Sequence, residues 1–309
     1  MRRGGPPLIG GFENVRMYVF TDLDDTLFQT RRKCRLPDSA LDTAPDVALH
    51  AALDAAPNTA ADMTPDSVPA AAPEAESGGK QGAALRVGGV SRSGEPLSFL
   101  LPHQQALFDL LDAHARIIPV TARNRDAFSR VRLPFRHGAV LNYGGTILTP
   151  EGGPDSAWDA RMRPLLEDAR PFLEAALARM REIMAREGLD CAARLVCDED
   201  SGLPFYALAK QPQGRVGELR ALGDALEQEF LPGRAGRLHR NDNNLAVIPD
   251  ALNKAHAVRR FIDTRIRPLG EAYMTLGMGD SLEDLAFMQV CDYSLVPQRT
   301  QIAALRLRG

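Results

Sequence analysis

Short apolar segments alternate with helical segments at both ends of the sequence, and this alternation constrains the fold more than any other feature. The segments VRMYVFT, RIIPVTAR, AYMTLGMGD and YSLVP are apolar and rich in residues that favour β-strands, and helical patterns lie between them. Strands that alternate with helices form parallel sheets with helices on both faces. The sequence therefore predicts an α/β core built on a parallel sheet.

Residues 149–249 follow a different pattern, which predicts a second domain inserted into this core. The segment WDARMRPLLEDARPFLEAALARMREIMAREG is helical, and its prolines leave room for a break. Two predicted strand pairs and an amphipathic helix follow it. This order is typical of a small α+β domain with an antiparallel sheet. The core domain then consists of residues 1–148 and 250–309.

The stretch from about 37 to 84 interrupts the core with another kind of sequence. Alanine, proline, aspartate and serine dominate it, and large apolar residues are few. A segment of this composition buries too little apolar surface to offset the entropy lost on ordering. We therefore expect a disordered insertion at about 37–84.

Composition narrows the classes of function. The formal net charge of -3 does not favour binding to nucleic acid or to a membrane surface, and no apolar run is long enough to span a bilayer. The arginines at the N-terminus are not followed by the apolar stretch of a secretory signal. Four scattered cysteines without a CxxC or a zinc-type spacing suit a reducing, cytoplasmic location. The oligomeric state stays open.

Polar side chains stand where three of the predicted strands end. Asp22 follows the first strand in the segment YVFTDLDDTLFQT, Thr121 ends the second, and Asp280 follows AYMTLGMGD. The carboxyl ends of parallel strands meet at one edge of a sheet, and such folds bind ligands at that edge. We therefore expect these three residues, which are far apart in the sequence, to lie at one site.

Three aspartates, Asp22, Asp24 and Asp25, stand within four positions, and their mutual repulsion calls for a compensating charge. The spacing excludes a calcium-binding loop, because the sixth residue from Asp22 is Leu27 rather than glycine and the twelfth is Lys33 rather than glutamate. A bound cation and an Asp-rich turn without a ligand both remain open at this point.

The segment GDSLED also has a purely structural interpretation. Ser281 as the N-cap and Asp284 three residues later fit a capping box in front of the helical segment SLEDLAFMQVC. That interpretation does not account for Asp280, nor for the glycines of GMGD, which allow another group to come close to the backbone.

Taken together, four segments resemble the motifs of the haloacid dehalogenase-like superfamily: DLDDT at 22–26, VTAR at 120–123, Lys254 in LNKAHAV, and GDSLED at 279–284. The predicted domain between the second and third motifs resembles the type II cap of the branch with Cof-type and sucrose-phosphate-phosphatase-like enzymes. The resemblance covers most of the chain apart from about 37–84. It implies a Rossmann-like core with an inserted α+β cap domain.

The resemblance also implies roles for individual residues. Asp22 would be the nucleophile that forms an aspartyl-phosphate, and Asp24 the acid and base for the leaving group and water. Mg²⁺ would be held by Asp22, by the backbone carbonyl of Asp24 and by Asp280. The phosphate would be bound by Thr121 and Lys254, with Ser281 and Asp284 in the surrounding shell. Apart from the resemblance, Arg123 and Asn142 lie at or just beyond the ends of predicted strands on the same edge, so we expect them to contact the substrate.

Two features depart from the pattern of that family. Asp25 stands where the family often has glycine, and we expect its side chain to point away from the phosphate. The insertion interrupts the position of the family's hairpin flap, so TRRKCRL and ALRVGGV are expected to form the two sides of the flap.

The function implied is a magnesium-dependent phosphatase that hydrolyses a small phosphorylated metabolite. A sugar phosphate is favoured because of the likeness to sucrose-phosphate-phosphatase-like enzymes. Two alternatives remain open: a phosphomutase that uses the same pair of aspartates, and a non-enzymatic sensor of a phosphorylated ligand that uses the insertion to bind a partner.

Overall fold

The computed structural model of the chain describes residues 15–34, 85–211, 213–241 and 243–306. The predicted insertion at about 37–84 lies outside the described residues. Among the residues that are described, no helix combines the length and the apolar character that crossing a membrane requires.

The described residues form thirteen strands and seven α-helices. The strands are β1 (Arg16–Thr21), β2 (Gln29–Thr30), β3 (Arg86–Val90), β4 (Pro96–Leu100), β5 (Ala115–Pro119), β6 (Ala139–Leu141), β7 (Thr146–Leu148), β8 (Ala192–Cys197), β9 (Pro204–Lys210), β10 (Gly236–Asn241), β11 (Asn244–Pro249), β12 (Tyr273–Met278) and β13 (Tyr293–Leu295). The α-helices are α1 (Pro102–His114), α2 (Arg125–Ser129), α3 (Ser156–Glu187), α4 (Val216–Glu229), α5 (Lys254–Phe261), α6 (Leu285–Met288) and α7 (Gln301–Arg306).

A four-stranded parallel sheet forms the core, in the order β13-β12-β1-β5. Val19 and Phe20 in β1 are fully buried on opposite faces of this sheet. Val19 packs in one core cluster with Ile117, and Phe20 packs in another with Ile118. Burial of both faces explains why this strand is an almost continuous apolar run. The prediction of an α/β fold with a Rossmann-like parallel sheet is confirmed.

The strand that was expected to end at Thr121 ends earlier, at Pro119. Its partner β1 ends at Thr21, which pairs with Pro119, so the regular ladder stops there. The chain nevertheless stays extended beside β6, because the N–H of Thr121 donates to Val140 O at 2.8 Å. Thr121 is therefore still held at the carboxyl edge of the sheet.

An antiparallel sheet in the order β10-β11-β9-β8 lies between the two parts of the core sequence. Helices α3 and α4 pack on one of its faces through a cluster that includes Met180, Ala207, Leu222 and Val247. We call this unit, from α3 to β11, the cap. The domain limits at 149 and 249 stay a prediction.

Helix α3 runs without interruption through Pro164 and Pro171, where the sequence left room for a break. Leu166, Leu173 and Met180 are buried on it at intervals of seven residues. This buried stripe continues across both prolines, and its packing offsets the backbone hydrogen bonds that the prolines cannot donate.

A three-stranded antiparallel sheet, which we call the flap, has the order β2-β4-β3. TRRKCRL and ALRVGGV, which were expected to form the two sides of the flap, contribute to its two edge strands, β2 and β3. These strands do not pair with each other, because β4 lies between them and pairs with both. The hairpin of β3 and β4 turns at Gly94, whose φ of 87° suits glycine.

Candidate active site

The carboxylate of Asp22 lies at the carboxyl end of β1 and is held by a buried lysine. The backbone N–H of Asp22 donates to Met278 O at 2.8 Å, so the residue is fixed to the end of β12 as well. Lys254 Nζ donates to Asp22 Oδ1 at 2.8 Å. This contact joins the first and third motifs, which are separated by more than two hundred residues.

Lys254 is the first residue of α5, and the loop before this helix fixes its position. The side chain of Asn253 caps the helix by accepting from the N–H groups of Ala255 and His256. Gly144 packs against this loop with a φ of 95°, and a Cβ there would lie 2.7 Å from the carbonyl carbon of Asn253. Only glycine allows the two backbones to approach so closely.

A second carboxylate, Asp284, completes the environment of Lys254. Lys254 Nζ donates to Asp284 Oδ1 at 2.7 Å, and both side chains are almost fully buried. Burial disfavours the ammonium, but the charges of Asp22 and Asp284 outweigh it and raise the pKa of Lys254 above the usual range. Lys254 is therefore a permanent cation of the site.

Asp22 and Asp284 share the single positive charge of Lys254, so one negative charge is left uncompensated when both carboxylates are ionised. Burial raises the pKa of Asp22 well above its ordinary value of 3.8; Lys254 opposes this, while Asp284 and Asp280 raise the pKa further. For Asp284 burial also acts upward, but Lys254 and Ser281 lower its pKa below the ordinary value. A further cation beside Asp22 would stabilise its ionised form.

Asp280 follows β12 and faces the same space, as the sequence predicts. One carboxylate oxygen from each of Asp22, Asp280 and Asp284 lies within 4.8 Å of the others. Burial, and then the charges of Asp284 and Asp25, raise the pKa of Asp280 to about 7, although Lys254 and the hydroxyl of Thr26 act in the opposite direction. Such a group of hard oxygen donors with uncompensated charge fits Mg²⁺.

The segment GDSLED forms one half of the predicted capping box, because the carboxylate of Asp284 accepts from the backbone N–H of Ser281. The other half is not formed, because the N–H of Asp284 donates to the carbonyl of Ser281 rather than to its hydroxyl. Both the N–H and the hydroxyl of Ser281 donate to Asp284 Oδ2, at 3.0 and 2.7 Å, and α6 begins only at Leu285. A Cβ on Gly279 would lie 2.9 Å from Asp284 Cγ. The glycine thus makes room for Asp284, and Ser281 orients that carboxylate towards Lys254.

Asp24 is held by Arg123 in a bidentate ion pair. Arg123 Nε and Nη2 donate to Asp24 Oδ2 and Oδ1 at 2.9 and 2.7 Å, and the guanidinium also lies over the ring of Phe28. Burial would raise the pKa of Asp24, but the charge and hydrogen bonds of Arg123 outweigh it and lower the pKa below 3.8. Asp24 is therefore ionised in this geometry, and sequence reasoning did not foresee that Arg123 would hold it.

Thr121 lies beside these groups with its side chain 1% exposed. Its hydroxyl accepts from the backbone N–H of Arg123 at 3.2 Å, and its carbonyl accepts from the N–H of Tyr143. Thr121, Asp22, Asp24, Lys254 and Asp280 line one cleft of about 70 Å³. The structure thus brings the four motifs together.

Asp25 occupies a left-handed backbone conformation, with a φ of 65°, and its carboxylate forms an ion pair with Lys33. It was expected to point away from the phosphate. The residue nevertheless lines the cleft, and its charge contributes to the raised pKa of Asp280.

The cap closes the cleft with three consecutive residues of β10, His239, Arg240 and Asn241. His239 and Asn241 line the cleft, and the imidazole packs edge-on against the ring of Tyr143. Burial and the charge of Lys254 lower the pKa of His239, so the ring is neutral at pH 7. The guanidinium of Arg240, from the opposite face of the strand, bonds to Asp224 and Glu227 on α4 instead.

An ion pair that the sequence gave no reason to expect connects the cap with the core. Arg237 Nε donates to both carboxylate oxygens of Glu283, at 2.8 and 3.0 Å, and Arg237 Nη2 donates to Leu252 O at 3.0 Å. Glu283 is the residue before Asp284. The cap is therefore tied to the same motif that positions Lys254.

Asn142 has a left-handed conformation with a φ of 53°, and Tyr143 beside it has a φ of 56°. Positive φ is uncommon outside glycine, although asparagine tolerates it. The N–H of Asn142 donates to Arg123 O at 3.0 Å, yet its side chain lines a second cavity rather than the cleft of Asp22. Asn142 therefore does not line the cleft, and its contact with the substrate stays a prediction.

No protein-family model and no curated protein is similar to the sequence. Among solved structures, trehalose-6-phosphate phosphatase from Aspergillus fumigatus has 12% identity and a TM-score of 0.39, over 93% of this chain and 84% of that one. The C-terminal domain of the Candida albicans trehalose-6-phosphate phosphatase has 12% identity and a TM-score of 0.44, over 90% and 73%. Sucrose-phosphatase from Synechocystis has 16% identity and a TM-score of 0.38, over 67% and 88%.

The four sequence motifs and their positions in the fold give a more specific likeness than these identities and TM-scores. DLDDT, VTAR, Lys254 and GDSLED come from four distant parts of the sequence and meet at the carboxyl edge of one parallel sheet beneath an α+β cap. In these four motifs and in their arrangement, the chain resembles the phosphatases of the haloacid dehalogenase-like superfamily.

Proposed function

We propose that the protein is a magnesium-dependent phosphatase that hydrolyses a small phosphorylated metabolite through an aspartyl-phosphate. One observation carries the proposal. Asp22 is fixed at the end of a parallel strand between a buried lysine and Asp280, and a second aspartate stands two residues further on. This set supplies a nucleophile, a proton carrier and charges that stabilise a phosphoryl group.

In the first step a carboxylate oxygen of Asp22 attacks phosphorus. The bond from phosphorus to the oxygen of the leaving alcohol breaks, and that oxygen takes a proton from Asp24. In the second step Asp24 takes a proton from a water molecule as the water oxygen attacks phosphorus. The bond between phosphorus and Asp22 then breaks, which gives inorganic phosphate and restores the carboxylate.

The ion pair with Arg123 decides which form of Asp24 is present. With both oxygens accepting from Arg123, Asp24 is ionised and suited to receive the proton of the water. Its role as an acid in the first step requires protonation, and the ion pair opposes protonation. We infer that Arg123 loosens from Asp24 when the negatively charged phosphate enters the cleft.

The residues that would hold Mg²⁺ are Asp22, the backbone carbonyl of Asp24, and Asp280. Two observations support this set. Carboxylate oxygens of Asp22 and Asp280 lie close together, and the raised pKa of Asp280 means that its ionised form is unfavourable unless a cation is bound. When bound, the ion would neutralise charge on the phosphoryl group. The carboxylate of Asp284 is engaged with Lys254 and Ser281, which supports an orienting role for it.

The phosphate oxygens would be bound by the hydroxyl of Thr121 and the ammonium of Lys254. Lys254 is charged throughout the physiological pH range, and Thr121 is fixed by the backbone of Arg123. The positive charge of Lys254 favours an anionic substrate.

A sugar phosphate is the substrate class that we propose. The cap offers His239 and Asn241 to the cleft, which can exchange hydrogen bonds with hydroxyl groups. Trp158, the single tryptophan, is buried and donates to Gly144 O, so it offers no surface on which a nucleobase could stack. A soluble metabolite and the scattered thiols are consistent with the proposed cytoplasmic location.

Phosphate release from a panel of sugar, nucleoside and small-acid phosphates tests this function, with Mg²⁺ and with EDTA. We expect release that requires Mg²⁺ and is lost in Asp22→Asn, whereas Asp168→Asn, an exposed change on α3, keeps full activity. An isomeric sugar phosphate in place of free phosphate would indicate a mutase. Full activity of Asp22→Asn would exclude the mechanism.

A further inference from the structure

A second cavity, of about 350 Å³, lies between the core and the cap on the side of α3. We call it the α3 cavity. Its walls come from the loop after Arg123, from Asn142 and Thr146 in the core, and from α3 and the loop between β8 and β9 in the cap. A volume of this size is in the range of cavities that hold small molecules.

The α3 cavity is separate from the candidate active site. No residue lines both the α3 cavity and the cleft of Asp22. Two consecutive residues line different cavities: Asn142 lines the α3 cavity, and Tyr143 lines the cleft of Asp22. On β9 the division is the same, with Phe205 lining the α3 cavity and the hydroxyl of Tyr206 donating to Ala122 O beside the cleft.

A buried polar atom at the α3 cavity has no hydrogen-bond partner among the residues that the structure describes. Asn142 is 2% exposed, and its Nδ2 donates to Thr146 Oγ1 at 3.1 Å, but its Oδ1 accepts no hydrogen bond. A buried carbonyl without a donor is costly, so such atoms are usually paired with a ligand or water. Its chemistry calls for an O–H or N–H group.

The charges around the α3 cavity exclude an anion as the preferred ligand. Two arginines line it together with four acidic residues: Arg125, Arg163, Asp159, Asp198, Glu199 and Asp200. The acidic groups exceed the basic ones by two. Burial, and then the charge of Asp198, raise the pKa of Asp159.

The walls nevertheless combine hydrogen-bond donors and acceptors with one aromatic ring. Arg163 and Asn124 offer N–H groups, Asp159 and the Oδ1 of Asn142 offer acceptors, and Phe205 offers an apolar surface. A hydroxyl group both donates and accepts, so several hydroxyls on one small skeleton match this pattern better than a single charge does. We propose that the α3 cavity is a second binding site, for an uncharged polyhydroxylated molecule the size of a monosaccharide.

Binding can be measured on the full chain without any assay of phosphatase activity. We would titrate the ¹⁵N-labelled protein with glucose and with sorbitol and follow amide shifts of residues in the loop between β8 and β9. Glucuronate and glucosamine, which add a negative and a positive charge to the same ring, serve as matched probes. We expect both neutral polyols to bind, with glucuronate weaker than glucose.

Two variants locate the site. Asp159→Asn removes a charged acceptor and is expected to weaken glucose binding about tenfold or more. Asn142→Gly removes the unpaired carbonyl yet keeps a residue that tolerates positive φ, and it should weaken binding as well. Asp168→Asn, on the same helix but outside the α3 cavity, should bind glucose as the unaltered protein does.

Three results would overturn the proposal. One is the absence of saturable shifts with both neutral polyols up to their solubility limits. Another is binding of glucosamine or glucuronate in preference to glucose, since the ligand would then be an ion. The third is unchanged glucose affinity in folded Asp159→Asn and Asn142→Gly, because glucose would then bind elsewhere.

Discussion

Replacing Asp280 with asparagine should stabilise the metal-free protein while it removes the metal site. The change keeps the shape of the side chain and the Oδ1 atom that accepts from the hydroxyl of Thr26 at 3.3 Å. It eliminates the ionised carboxylate, which burial and the nearby Asp284 and Asp25 disfavour. A residue important for function is therefore expected to cost stability when no cation is bound.

The magnitude follows from the raised pKa. Asp280 has a pKa of about 7 in the folded protein, against an ordinary value of 3.8. Between these two values the folded state binds the proton more tightly than the unfolded state, so stability falls as the pH rises through this window. At 1.36 kcal/mol per pKa unit, ionised Asp280 costs about 4 kcal/mol at pH 8 and about 2 kcal/mol at pH 5.

Urea denaturation at pH 5 and pH 8 in EDTA measures this difference directly. Asp280→Asn should exceed the unaltered protein in free energy of unfolding at both pH values, with the larger gain at pH 8. Mg²⁺ should then stabilise the unaltered protein but not the variant. Asp168→Asn, an exposed change, is the control and should match the unaltered protein. A variant less stable at pH 8, or one with equal gains at both pH values, would refute the reasoning.

Three further predictions concern the surroundings of the site. Arg123→Gln removes the largest effect that opposes the burial of Asp24 and so raises the pKa of Asp24, and the pH–rate profile of hydrolysis should move to higher pH; an unmoved profile would contradict this role. Gly144→Ala places a Cβ against the start of α5 at positive φ and should lower the free energy of unfolding by about 1 kcal/mol or more, measured by urea denaturation. A double-mutant cycle of Arg237→Gln and Glu283→Gln should give a coupling of about 1 kcal/mol, and additive effects would show that the pair does not connect cap and core.

The sequence was sufficient to predict which residues meet at the edge of the core sheet. Asp22, Thr121 and Asp280 each stand at or just after the end of an apolar segment, and parallel strands place such positions side by side. The alternation of strands and helices thus carried information about contacts between residues far apart. The position of Lys254 could not be predicted from strand ends alone, because Lys254 begins helix α5 and its position depends on how that helix packs against the sheet.

Pairings between long side chains could not be predicted in the same way. The ion pair of Arg123 with Asp24 and that of Arg237 with Glu283 depend on rotamers and on the placement of the cap over the core. Local sequence does not encode either. A left-handed residue such as Asn142 is likewise visible only once the turn is formed, although asparagine before Tyr-Gly-Gly is compatible with such a turn.

The flap and α3 show where local rules were outweighed by packing. A two-residue strand such as β2 carries no periodic signal, so its pairing with β4 could not be derived from its sequence. In α3, proline predicts a break, but a stripe of buried side chains continues through both prolines. Tertiary contacts decided both cases.

A phosphorylated Asp22 is the most direct test of the central claim. The protein would be mixed with Mg²⁺ and the best substrate of the panel, quenched in acid during the first turnovers, digested and analysed by mass spectrometry. The account predicts that the peptide containing Asp22 gains the mass of a phosphoryl group, and that this gain is absent in Asp22→Asn and in EDTA. Rapid hydrolysis with no phosphorylated peptide, or with the phosphoryl group on another residue, would contradict it.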